Sequence, residues 1–139
     1  LAAYLRRAKV KRFLVNSSGD MVYESGSESI MIGLEDPRDA SQVIGTVVLK
    51  PGKALCSSGS NRRRWGKCDR MLGPTSQSLP DVIVATWLIA DGAAVADALA
   101  SCFFLVPPTS FETRFEFDYC VMNNERKVRR SEGFEGELF

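Results

Sequence analysis

Two oxygen-bearing side chains, Asp97 and Ser101, stand four residues apart in a stretch that is otherwise apolar: Ala93, Ala94, Val95, Ala96, Ala98, Leu99, Ala100, Cys102, Phe103 and Phe104. Residues i and i+4 of a helix share a face, so a helix over residues 92–105 would project both from one side. A helix apolar all round is expected to be buried, and at about 14 residues this one is too short to cross a bilayer. A buried carboxylate is costly unless it meets an arginine, a lysine or a metal. A carboxylate and a hydroxyl are hard oxygen donors of the kind Mg²⁺ prefers, and the many alanines leave room for close approach. The alternative places Asp97 at a solvent-facing edge with no ligand, and the residue pattern leaves both readings open.

Composition narrows the function classes. The chain has 139 residues, 45% hydrophobic and 25% charged, which is ordinary for one globular domain with a modest core. A net charge of +1 gives no electrostatic footprint for nucleic acid or an acidic membrane. The cluster Arg62, Arg63, Arg64 is short and lacks interleaved aromatics, so it reads as a solvated or phosphate-contacting surface. Cys56, Cys68, Cys102 and Cys120 form no CxxC pair and there is no histidine, so zinc-ligand spacing is missing. Cys102, inside the apolar run, reads as a reduced, packed thiol. No signal peptide or spanning segment is visible, and the chain opens at Leu1 without a methionine, as a truncated or processed product would. The compartment stays open.

The elements that must position these residues are legible in outline. Leu1, Ala2, Leu5 and Ala8, with Arg6, Arg7 and Lys9 opposite, predict a short amphipathic helix over residues 1–8. Residues 12–16 read as a buried strand, and residues 21–24, 30–34 and 43–49 as further strands. Asp36-Pro37-Arg38-Asp39 is a turn signal. Residues 56–80 show no clear periodicity and are rich in Ser, Gly, Arg and Pro, a pattern usually functional or disordered. Residues 82–89 read as a central strand, with Asp91 placed to cap the helix that follows and Pro107-Pro108 to stop it. Phe115, Phe117, Tyr119 and Val121 alternate with Glu116, Asp118 and Cys120, as in a half-buried strand. Asn123-Asn124 then turns into residues 126–129 to complete a hairpin. The whole predicts one α+β domain over residues 1–139, with a mainly antiparallel sheet, one buried Ala-rich helix and a short N-terminal helix.

Five segments, in order, resemble the ApbE family of FAD:protein FMN transferases. Val95-Ala96-Asp97-Ala98-Leu99-Ala100-Ser101 is similar to the family's A-D-A-L-A-T helix, with Ser101 for threonine. Leu14-Val15-Asn16-Ser17-Ser18-Gly19-Asp20 resembles its L-V-N-x-G-G-D turn, with Ser18 for the first glycine. Gly33-Leu34-Glu35-Asp36-Pro37-Arg38-Asp39 resembles G-I-R-D-P-R-D, Cys56-Ser57-Ser58-Gly59 resembles A-T-S-G, and Arg130-Ser131-Glu132-Gly133-Phe134 resembles the closing strand and tail. The resemblance implies Mg²⁺ held by Asp97, Ser101 and the Cys56 carbonyl beside the FAD pyrophosphate. It assigns Asn16, Gly19, Asp20, Ser57, Ser58 and Gly59 to the dinucleotide. The implied reaction transfers FMN from FAD to a threonine of an acceptor protein.

The resemblance also breaks. The family's H-x-I-D-P-R-T-G segment corresponds to Asp69-Arg70-Met71-Leu72-Gly73-Pro74-Thr75-Ser76-Gln77, with Arg70 for the histidine and Gly73 for the aspartate. Arginine is no base near neutral pH, and glycine has no side chain. The family's flavin-binding D-x-G-G-I-A-K-G-Y-A segment has no counterpart in the chain and would lie before Leu1. The catalytic residues are therefore unassigned. A diverged transferase competes with a non-catalytic FAD/Mg-binding or scaffold domain of the same fold.

Overall fold

A computed structural model describes residues 1–59 and 83–139. Among these, the helix α1 (Ala2–Arg7) leads into β1 (Phe13–Ser17) and β2 (Asp20–Glu24). The hairpin β3 (Ile30–Asp36) and β4 (Asp39–Leu49) follows, then β5 (Ala54–Gly59), β6 (Ile83–Ala90) and α2 (Ala93–Cys102). A single 3-10 turn at Pro108–Ser110 precedes β7 (Phe117–Asn123), β8 (Val128–Arg130) and β9 (Gly136–Leu138). Six strands pair in the order β1-β2-β5-β6-β7-β8, and three more in the order β3-β4-β9. Every pairing is antiparallel, so the α+β class with a mainly antiparallel sheet is observed as expected.

The period-2 alternation of a strand builds two cores from β6. Ala85, Trp87 and Ile89 face the three-stranded sheet, where they join Leu34, Ile44, Val47, Leu49 and Phe134. Leu88 and Ala90 face α2, with Ala96, Leu99, Ala100 and Phe103. The molecule is thus layered helix, six-stranded sheet, three-stranded sheet. Each large side chain so buried contributes roughly 1.5–3 kcal/mol. Strand β6 has α2 over one face and the three-stranded sheet over the other, which is why its run is apolar on both faces.

Several expectations need correction. Among the described residues, strand β1 is the edge of its sheet rather than buried, and Leu14 is exposed. Within that set it pairs with β2 alone, and only Phe13 and Val15 turn inward. Residues 54–59 form a strand although residues 56 onward looked irregular; small Ala, Cys, Ser and Gly carry little strand signal, and pairing with β2 and β6 supplies the order. Helix α2 is shorter than expected and covered along one stripe only, with Ala94, Asp97 and Ala98 exposed. It lies on one face of a sheet, and alanine tolerates water well enough to occupy the other side. Asp91 does not cap it: the N-cap is Gly92 without a side-chain bond, and Asp91 instead pairs with Lys53 at 2.5 Å. Cys120, expected on a polar face, is wholly buried between the sheets.

Candidate functional site

The β1–β2 turn is shaped for a tight reversal. The Asn16 side-chain oxygen accepts the Gly19 backbone N–H at 3.1 Å. Ser18 (φ 55°) and Gly19 (φ 106°) both take left-handed backbone, which glycine adopts freely and serine only at a cost of about 1 kcal/mol. That geometry explains why the resembling motif carries glycine at both positions. The turn reaches β5, where the Ser57 hydroxyl makes a long 3.5 Å contact to the Gly19 carbonyl.

Between the sheets, this turn and β5 border a cavity of about 360 Å³ lined by Asn16, Gly19, Glu35, Leu55, Ser57 and Trp87, among others. Its size falls within the range of small-molecule sites, roughly 300–1,000 Å³. A second cavity of about 30 Å³ adjoins it, sharing Glu35, Ser57 and Trp87 and adding Pro37, Ser58 and Gly59. Five of the six residues expected at a dinucleotide thus border two adjoining cavities. The sixth, Asp20, does not.

Asp20 instead belongs to an acidic cluster on the helix side of the same sheet. Partial burial raises its carboxyl above the usual range; a bond from Cys56 offsets this in part, and the negative charge of Asp97 adds to it. The Cys56 thiol is pushed up to about 12, first by burial and then by the Asp20 and Asp97 carboxylates. It lies 3.4 Å from the Ala93 carbonyl and also bonds Asp20. Asp97 is exposed and Ser101 half-buried, so the expected buried carboxylate that must find a counter-charge is not observed. Proximity to Asp20, rather than burial, is what distinguishes Asp97.

The donor chemistry suits a hard divalent cation. Asp20, Asp97 and Ser101 offer oxygen, and the repulsion between the two carboxylates is the kind a cation relieves. Among the described residues, no three His, Cys, Asp or Glu side chains are arranged to hold a metal by themselves. A metal here would draw on Ser101, a backbone carbonyl or a phosphate for the balance.

Trp87, Glu35 and Leu55 were not foreseen as site residues. Pairing across β5 and β6 brings Leu55 and Trp87 to the cavity, and Glu35 reaches it from β3 in the other sheet. Arg62, Arg63, Arg64, Cys68, Arg70 and Gly73 lie outside the described residues, as does Val82 at the start of the expected central strand.

The architecture defines a layered α+β protein with a ligand-sized cavity between two antiparallel sheets. The ApbE family model matches residues 1–117, and the chain belongs to the ApbE family. A crystal structure of the Pseudomonas stutzeri flavinyl transferase ApbE, in its apo form, is similar with a TM-score of 0.59 and 17% identity. At that identity the likeness is one of fold. It covers 96% of this chain and 46% of that one, so the chain spans less than half that protein's length. No curated protein gives a significant match.

Proposed function

We propose that the chain forms the C-terminal part of an ApbE-type flavin transferase, binding FAD with Mg²⁺ and transferring FMN to a threonine of an acceptor protein. The observation that carries this reading is the convergence on β5. Ser57, Ser58 and Gly59 border the cavities beside Asn16 and Gly19, while Cys56 meets Asp20 and Asp97 on the opposite face. Residues of three separate segments, 16–20, 56–59 and the α2 turn that carries Asp97, gather around one strand, as the proposed dinucleotide and metal roles require.

The chemistry is balanced without a redox partner. A threonine oxygen forms a bond to the FMN phosphorus, the pyrophosphate P–O bond breaks, AMP departs, and the hydroxyl proton is released. Magnesium, when bound, neutralises pyrophosphate charge. Asp97 and Ser101 would hold it with the Cys56 carbonyl, and Asp20 would add negative charge nearby. Asn16, Gly19 and Ser57 would orient the dinucleotide by hydrogen bonds, and the sheet-to-sheet core around Trp87 would exclude water.

A second reading, an FAD- and Mg-binding or scaffold domain without transfer, is favoured by Arg70 and Gly73 standing where the family has histidine and aspartate. FAD titration with and without Mg²⁺, followed by an AMP-release assay with a threonine-bearing acceptor, separates the two. Magnesium-dependent binding with AMP release supports transfer, and binding without release supports the second reading. Absence of FAD binding overturns both nucleotide readings and leaves a scaffold.

A further inference from the structure

Asp36, at the tip of the β3–β4 hairpin, is a carboxylate only 5% exposed. Its oxygens are divided between two arginines. Oδ1 accepts the Arg38 backbone N–H at 2.8 Å, and Oδ2 accepts Nη2 of Arg126 at 3.0 Å. Arg38 in turn donates to the Asn124 carbonyl. Arg126 and Asn124 belong to the β7–β8 turn, which Asn123 shapes by accepting the N–H groups of Glu125 at 3.0 Å and Lys127 at 2.8 Å. The hairpin belongs to the three-stranded sheet and the turn to the six-stranded one. These bonds therefore tie the two sheets together at one end.

Two further observations bear on Arg126. It adopts left-handed backbone, φ 65°, at a cost of roughly 1 kcal/mol or more for a residue other than glycine. Its side chain borders neither cavity, whereas Glu35 and Pro37, on either side of Asp36 in sequence, do. It also lies beyond the residues 1–117 that match the family model.

We propose that Arg126 is a positioning residue for the cavity. Acting through the Asp36 carboxylate, it holds the Glu35–Pro37 wall against Ser57 and Trp87, so ligand affinity depends on a side chain that does not line the cavity. A buried carboxylate stripped of its guanidinium is left uncompensated, and outward movement of the hairpin, which rehydrates Asp36, loosens that wall. The proposal rests on the cavity being the FAD site, and its test is built to fail separately from that reading.

Arg126→Gly removes the side chain while suiting the left-handed backbone, so the turn itself carries no new strain. With Mg²⁺ present, it is expected to weaken FAD binding at least about fivefold, ~1 kcal/mol, with Arg126→Lys restoring most of the loss. Asp36→Asn combined with Arg126→Gly is expected to bind no more weakly than the worse single variant, because one unit is broken once. A ligand-free measurement runs beside these. In a Trp65→Phe background, acrylamide quenching of Trp87, 4% exposed in the intact fold, should rise at least about twofold in Arg126→Gly as the wall loosens. Unchanged quenching overturns the proposal, as does wild-type FAD affinity in Arg126→Gly or a multiplied loss in the double variant. If the parent chain binds no FAD yet quenching rises, the positioning role stands and the FAD reading falls.

Discussion

The Thr86 hydroxyl, wholly buried in β6, donates a 2.7 Å hydrogen bond to the Ala100 carbonyl in the last turn of α2. Carbonyls in a helix's last turn run out of intrahelical donors, and the central strand supplies one here. The bond seats the helix on the sheet within one turn of Asp97 and Ser101, so a strand residue with no chemistry of its own places the proposed metal ligands. Thr86→Val, which keeps the shape and removes the donor, is expected to destabilise the fold by about 1–3 kcal/mol. Urea denaturation checks this, and an unchanged midpoint would show that water satisfies the carbonyl instead.

The three-stranded sheet depends on glycine where β4 meets β9. A Cβ added at Gly45 would lie 2.2 Å from the Glu137 carbonyl oxygen, a backbone atom that cannot swing aside. Gly45→Ala is expected to cost about 1–3 kcal/mol and to free β9 from β4. Hydrogen exchange read at Val48 and Phe139, whose N–H groups bond the Glu135 and Ile44 carbonyls across this seam, should accelerate in the variant; protection equal to the parent would mean that the strands absorb the added methyl without losing their pairing.

Asp97 is exposed, so its removal should be felt by ligand and not by the fold. Asp97→Asn is expected to weaken Mg-dependent FAD binding at least about tenfold, ~1.4 kcal/mol, with a change in stability within about 0.5 kcal/mol. Calorimetric titration with and without Mg²⁺ makes the comparison. Intact affinity in the variant would remove Asp97 from the proposed metal site.

Burial pushes the Cys120 thiol up from its ordinary value of 9.0 to about 12, with Arg130 opposing the shift. The folded state holds the proton more tightly than the unfolded chain, so the unfolded chain releases it first as pH rises. The associated stability is complete below about pH 9 and is lost as pH climbs toward 12. Unfolding midpoints measured from pH 8 upward should fall, and Cys120→Ala should flatten the decline. An equally steep decline in the variant would assign it to other groups, the Cys56 thiol foremost.

Much of this protein was legible from residue patterns, because local spacing and turn chemistry do not depend on distant neighbours. The apolar run that became β6, the Asp36-Pro37 turn, the β7–β8 hairpin and a helix carrying Asp97 and Ser101 on one side all follow from periods of 2 and 3.6 and from the stiffness of proline. The ordered set of motifs, Asn16 to Asp20 and Cys56 to Gly59 included, was likewise visible in the chain alone. Burial was not, because it is decided by what packs on each face. Alanines made α2 look buried all round, yet a sheet covers only the stripe through Ala96, Leu99 and Ala100 and leaves Asp97 in water. Cys120 became a core residue only when a second sheet closed over its own. The meeting of Asp20 with Cys56 and Asp97, and of Arg126 with Asp36 across 90 positions, needed strand order and register. Those are set by the long-range fit of whole faces, which no local window of sequence contains.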